Sequence, residues 1–140
     1  MADVILDASA LVDLLLGNAR GEAVKRRLRG HRLHAPAHLD AEVLSALGRL
    51  CQAGLLSEDE VEAALSEIPQ AVIRRHSVRR LLRGAWGRRH QLRLADALYV
   101  ELAAELGVLV TTDRRLGYLP MVDVVEGESP EDQGMSSPTV

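Results

Sequence analysis

Four acidic residues spread along the chain carry the chemistry that can be read from it: Asp7, Glu42, Asp96 and Asp113. Taken singly, each has an ordinary structural explanation. Asp7 follows the apolar run Val4-Ile5-Leu6 and could cap a helix that begins near Ser9. Glu42 falls in the first turns of a leucine-striped helix, where an acid gains from the positive helix end. Asp96 stands just before Ala97-Leu98-Tyr99-Val100, at an N-cap position. Asp113, in Thr111-Thr112-Asp113-Arg114, could belong to a polar turn. Gathered in one place, they would behave differently. Crowded carboxylates repel, and some acquire raised pKa values. A divalent cation removes that conflict, and an all-oxygen donor set is what Mg²⁺ or Mn²⁺ prefers. Such a site can polarise a phosphate and activate water for hydrolysis. Ser9, Thr111 and Thr112 add hydroxyls, each with local capping or turn bonds as its alternative role.

Positioning these acids requires particular elements. Val4 to Leu6 reads as a buried strand, followed by a helix from Ser9 to Leu16 that Gly17-Asn18 stops. Glu22 to Arg29 reads as a basic helix, and Arg32 to Ala35 as a weak strand before Pro36. The long helix after it carries Leu39, Val43, Leu47 and Leu50 on one stripe. Ser57 and Glu60 form a capping-box pattern for the next helix. Ala71 to Ile73 is a short β-rich run, Arg79 to Arg89 a helix weakened by two glycines, and Asp96 to Leu106 a strong helix. Val108 to Val110 and Met121 to Val125 read as strands. Strands alternating with helices predict an α/β protein with a parallel sheet covered on both faces. Ligands bind such sheets beyond the carboxyl ends of the strands. Asp7 and Asp113 follow strands, and Glu42 and Asp96 lie near the N-termini of returning helices. All four therefore belong on one rim.

Composition bounds the rest. A chain of 140 residues has room for about one domain. Its single cysteine, Cys51, excludes a disulfide framework and a cysteine-based zinc site, and it reads as a small core residue. The five histidines show no zinc-motif spacing. No apolar run is long enough to cross a membrane, and no basic region precedes the first apolar run, so cytoplasm is the expected compartment. Aromatic residues are only 2%, which argues against base stacking as the main mode of nucleic-acid recognition; Trp86 and Tyr99 read as packing residues. Net charge is −3, yet residues 70–93 hold eight arginines and no acid, so this segment carries +8. Arg88, Arg89 and Arg93, just ahead of Asp96, are candidates to hold a phosphate backbone. A solvated helix face or a landing site for an acidic partner are the alternatives. Residues 127–140, rich in Gly, Pro, Ser and acids, read as a disordered tail after a domain spanning residues 1–126.

Four segments, in order, carry a family resemblance. Val4-Ile5-Leu6-Asp7-Ala8-Ser9-Ala10-Leu11 resembles the first motif of PIN-domain ribonucleases, in particular the VapC-type toxins of toxin–antitoxin pairs. Ala35-Pro36 through Glu42-Val43-Leu44-Ser45-Ala46-Leu47 resembles the second motif, Asp96 through Ala103 the third, and Leu109 through Leu116 the last. The resemblance spans residues 1–125. It implies a PIN-like α/β/α sandwich around a five-stranded parallel sheet and Mg²⁺- or Mn²⁺-dependent cleavage of RNA. It assigns metal-site roles to Asp7, Glu42, Asp96 and Asp113, and suggests that Ser9 and Thr112 lie beside the metal or water. Helical periodicity alone leaves Asp40 and Glu42 equivalent; the motif selects Glu42. Arg114 and Arg115 stand where some members carry a further acid, so nothing in the resemblance requires a strongly held second metal.

The resemblance further implies a cognate antitoxin protein and a homodimer. Two other readings compete with an endoribonuclease. One is a non-catalytic PIN-like RNA-binding or regulatory module. The other is a phosphohydrolase of the haloacid-dehalogenase type, which needs a second aspartate two residues after the first, where this chain has Ser9.

Overall fold

The computed structural model describes residues 2–127. Five strands form one sheet: β1 (Asp3–Leu6), β2 (Arg32–Pro36), β3 (Ile73–His76), β4 (Val108–Thr111) and β5 (Val122–Val124). Their order is β3-β2-β1-β4-β5, and every pairing is parallel. Six helices connect them: α1 (Ala8–Leu16), α2 (Ala19–Leu28), α3 (Leu39–Gln52), α4 (Glu58–Glu67), α5 (Leu82–Gly87) and α6 (Leu94–Leu106). The expected α/β architecture is therefore present. Helix α6 lies on β1, β2 and β4 and carries α5, while α1 packs with α2, α3 and α4. The central strand β1 is apolar at Val4, Ile5 and Leu6, all buried, because both sheet faces are covered. Leu39, Val43 and Leu47 put the predicted stripe of α3 into the same core, and Ser57 and Glu60 form the predicted capping box of α4.

Some boundaries differ from the sequence expectation. Strand β3 begins at Ile73, because Ala71 closes a 3-10 turn onto Ile68 and Val72 stands 90% exposed. The arginine-rich segment is a 3-10 turn followed by only six residues of helix. Trp86 is 58% exposed under Arg89, contrary to the packing role expected of it, whereas Tyr99 is buried as expected. Cys51 is half-buried at the end of α3 rather than within the core. The expected tail, apart from Gly127, lies outside the described residues.

Helix α1 must end and turn sharply to let α2 pack beside it. Gly17 adopts φ +66° and donates to Asp13 and Leu14, and Asn18 then caps α2 through Gly21 N–H. Gly21 lies so close to α1 that a Cβ there would run into the Asp13 carbonyl. Gly21→Ala is expected to cost about 2 kcal/mol, because backbone rather than a mobile side chain must give way. Urea denaturation checks this; an unchanged midpoint would contradict so close a contact.

His34 and His76 face each other across β2 and β3 at 2.8 Å, with Asp3 on the far side of His34 at 2.9 Å. Burial, His34, Arg80 and Arg74 together hold the His76 pKa below the ordinary 6.5, with Glu105 opposing them. The unfolded chain then binds a proton at His76 more readily than the folded one, so acidification through pH 6.5 favours unfolding. His76→Gln is therefore expected to lose less stability than the wild type between pH 7 and pH 5.5. Thermal melts of the two proteins across this range compare the slopes; parallel curves would refute the assignment.

Candidate active site

The carboxyl edge of the sheet brings the four predicted acids to one cavity of about 380 Å³, lined also by Ser9, His38, Tyr99, Arg49, Arg93 and Arg115. Asp7 leaves β1 and caps α1, its extended backbone letting the side chain turn back onto the helix N-terminus. One oxygen accepts from Ala10 N–H at 3.0 Å and Ser9 Oγ at 2.8 Å, and the other from Thr111 Oγ. Thr111, fully buried at the end of β4, also accepts from Asp113 N–H at 2.9 Å. These bonds join the ends of the adjacent strands β1 and β4. Thr112 turns its hydroxyl away to Asp13 at 2.7 Å, so Ser9 and Thr111 are the hydroxyls that touch Asp7.

Glu42 enters from α3. Two residues apart on a helix means about 200° of rotation, and this separates the two candidates there. Asp40 faces β3 and takes a two-pronged bond from Arg75 at 2.8 Å. Glu42 faces the cavity, where its Oε1 accepts from Tyr99 Oη at 2.7 Å and lies 3.3 Å from His38 Nε2. Asp96 sits in the first turn of α6, two residues inside the helix rather than at its N-cap, which is Arg93. Its carboxyl receives no hydrogen bond among the described residues. Asp113 follows β4 and is held by Arg115, whose Nη2 lies 2.7 Å away.

Charge is distributed unevenly over these groups. Burial pushes the Asp7 carboxyl up to about 6 against the bonds from Thr111, Ala10 and Ser9, and Asp113 adds to the rise. Burial also raises Asp96; Glu42 and Asp113 add to the rise, while Arg93 and Arg115 oppose it. Glu42 is lowered by His38 and Tyr99 against its burial, and Asp113 chiefly by Arg115. The cavity thus holds two acids, Glu42 and Asp113, whose partners outweigh their burial, and two, Asp7 and Asp96, whose partners do not. Among the described residues, no three acidic, histidine or cysteine side chains converge closely enough to hold a metal ion as they stand. Asp7, Glu42 and Asp113 are each turned onto protein donors. Their chemistry nevertheless suits a hard cation, because every group is a carboxylate and the four acids outnumber the three arginines that line the same cavity.

The arginine-rich segment contributes less than its length suggests. Arg93 lines the cavity, but Arg88 is bound to Glu101 at 2.6 Å and Arg89 lies over Trp86. Arg75 and Arg80 are likewise paired, with Asp40 and Glu105. Arg49 and Arg115 complete the cationic lining; the sequence reading offers neither as a phosphate-binding candidate, and marks Arg115 only as standing where some family members carry an acid. His38 and Tyr99 also escaped it, because their contacts join α3 to α6 across 57 positions of sequence.

Fold and site together define an α/β protein with an acid-lined cleft at the carboxyl edge of a parallel sheet. A PIN-domain model matches residues 4–120. Ribonuclease VapC3 of Mycobacterium tuberculosis is 57% identical over 115 residues, covering 81% of this chain and 84% of that protein. Ribonuclease VapC12 of the same organism is 40% identical over 114 residues, covering 81% and 88%. The crystal structure of M. tuberculosis VapC20, described as a Sarcin-Ricin loop cleaving toxin, matches with a TM-score of 0.67 at 19% identity, over 88% of this chain and 99% of that one. The chain belongs to the PIN-domain family and, within it, to the VapC-type ribonucleases.

Proposed function

We propose that this protein is a divalent-metal-dependent endoribonuclease and the toxin of a type II toxin–antitoxin pair, with residues 1–126 as its nuclease domain. The observation that carries this reading is the meeting of Asp7, Glu42, Asp96 and Asp113 in one cavity, two of them with charge that their partners offset only in part. These four would hold Mg²⁺ or Mn²⁺. Bound there, the ion would supply charge stabilisation at the phosphate and lower the pKa of the attacking water. The chain's own groups do the rest. Arg49, Arg93 and Arg115 ring the acids and bind the phosphate backbone. Arg115 must leave Asp113 to do so, and the exposed pair it makes there is weak enough to exchange. Asp96, raised and without a donor on it, takes the proton from the attacking water at its carboxylate. Ser9 and Thr111 keep Asp7 from turning.

An antitoxin covering the cleft, self-association and a cytoplasmic location belong to the same reading. Leu82 and Trp86, one turn apart on α5 and both more than half exposed, offer a dimer an apolar contact. No helix among the described residues is long and apolar enough to cross a membrane. One observation favours the alternative of a non-catalytic RNA-binding module: three of the four carboxylates, Asp7, Glu42 and Asp113, are turned onto protein donors rather than converged.

The test is cleavage of a mixed RNA pool by protein purified free of any antitoxin, with Mg²⁺ or Mn²⁺ and with EDTA. Cleavage is expected to fall to background with chelator and to leave 5′-phosphate and 3′-hydroxyl ends. Undiminished cleavage in EDTA, or 2′,3′-cyclic phosphate ends, would overturn the metal mechanism.

A further inference from the structure

Two side chains outside the acid quartet tie its helices together. Tyr99 lies three residues after Asp96 on α6 and so shares its face of the helix. Its ring is buried, and its hydroxyl reaches across to Glu42 Oε1 on α3 at 2.7 Å. The hydroxyl is the donor in this bond, because the Glu42 carboxylate oxygen can only accept. His38 makes the opposite crossing. It stands at the N-cap of α3, and its Nε2 lies 3.1 Å from the Ala95 carbonyl of α6 and 3.3 Å from Glu42 Oε1. Both neighbours are acceptors, so Nε2 carries the hydrogen. Its Nδ1 is buried with no partner among the described residues, so His38 makes its polar contacts through Nε2 alone. The two rings pack at 4.8 Å between centroids. Glu42 Oε2 receives no hydrogen bond among the described residues, and Glu42 and Asp96 both line the cavity.

We infer that His38 and Tyr99 are positioning residues, a two-way brace that fixes the rotamer of Glu42 and the spacing between α3 and α6, so that Glu42 and Asp96 serve one cation. Each acts through Glu42, the acid that both side chains contact. The helix N-cap role alone does not explain His38, whose side chain makes no capping bond to α3. Simple core filling does not explain the Tyr99 hydroxyl, which a phenylalanine would lack at no loss of packing. The inference rests on the metal-dependent nuclease reading and adds to it the residues that prepare the site.

The test uses the full chain and Mn²⁺ alone as probe, with binding to RNA-free protein followed by electron paramagnetic resonance. Three variants separate positioning from folding: Tyr99→Phe removes one hydroxyl, His38→Leu removes the donor, and His38→Gln retains a donor near Nε2. Partners that orient a metal ligand are worth about 10–100-fold in affinity or activity. Tyr99→Phe and His38→Leu are each expected to weaken Mn²⁺ binding about 10-fold and to lower kcat comparably, with KM for RNA unchanged. His38→Gln is expected to recover most of the loss. Wild-type Mn²⁺ affinity in both Tyr99→Phe and His38→Leu would overturn the brace while leaving the nuclease reading intact. So would an equal loss in His38→Gln and His38→Leu. A wild-type protein that neither binds Mn²⁺ nor cleaves RNA would overturn both.

Discussion

Asp7→Asn is expected to make the metal-free protein more stable and to end its catalysis. Asp7 is 6% exposed, and burial lifts its pKa from an ordinary 3.8 to about 6. Below pH 3.8 the carboxyl is protonated in both folded and unfolded chains and contributes no penalty. Between pH 4 and 6 the unfolded chain releases this proton first, so stability falls as pH rises; above 6 the whole penalty is present. The shift corresponds to about 3 kcal/mol at pH 7. Asparagine keeps the shape, and its carbonyl oxygen can keep the bonds from Ala10 and Ser9. Its amide can donate to Thr111 Oγ with the hydroxyl hydrogen turned elsewhere. In EDTA at pH 7 the variant should melt about 10 °C higher. The gap should close towards pH 4, and RNA cleavage should drop by at least about 100-fold. An equal or lower melting temperature at pH 7 would show that Asp7 is not held at a cost. Saturating Mg²⁺ should narrow the gap from the other side, because binding stabilises only the protein that retains the ligand.

The sheet and three of the acids are legible from local pattern, while Glu42 is told from Asp40 only by the family motif. Buried parallel strands read as short apolar runs, and the acids fall at their ends or at the starts of the helices between them. The apolar pattern points two residues ahead of the start of β3 because an edge strand looks unlike a central one: its Ile-Arg-Arg-His carries charge, which suits an exposed edge. Thr111 and Thr112 are adjacent in sequence and identical in chemistry, and only the register of β4 against β1 decides which one faces Asp7. The arginine run looked like a continuous basic surface because it contains no acid of its own. Asp40, Glu101 and Glu105 reach it from α3 and α6, and this neutralisation is visible only once the chain is folded. His38 and Tyr99 belong to this class only in part: each shares a helix face with one acid by local spacing, His38 four residues before Glu42 and Tyr99 three after Asp96, but the bonds that carry them across to the other helix form only once the fold brings the starts of α3 and α6 together.

Asp96→Asn separates catalysis from binding more cleanly than any other single change. Its carboxyl accepts no hydrogen bond among the described residues, so the amide displaces no protein contact there, and burial already disfavours its charge. Loss of a metal ligand and proton acceptor in one step should lower kcat by about 1,000-fold. Binding should move the other way. A phosphate entering the cavity meets four carboxylates and three arginines, and removing one negative charge at that place reduces repulsion. RNA affinity measured in EDTA should therefore be equal to or higher than that of the wild type, with a salt dependence still set by Arg49, Arg93 and Arg115. A fall in kcat with unchanged or tighter RNA binding is the signature of a group used only in the transition state. A non-catalytic binding module predicts a different pair of results: neither protein cleaves, and both bind. Equal cleavage that tracks the protein through purification in both wild type and Asp96→Asn would place the chemistry elsewhere and remove Asp96 from the mechanism.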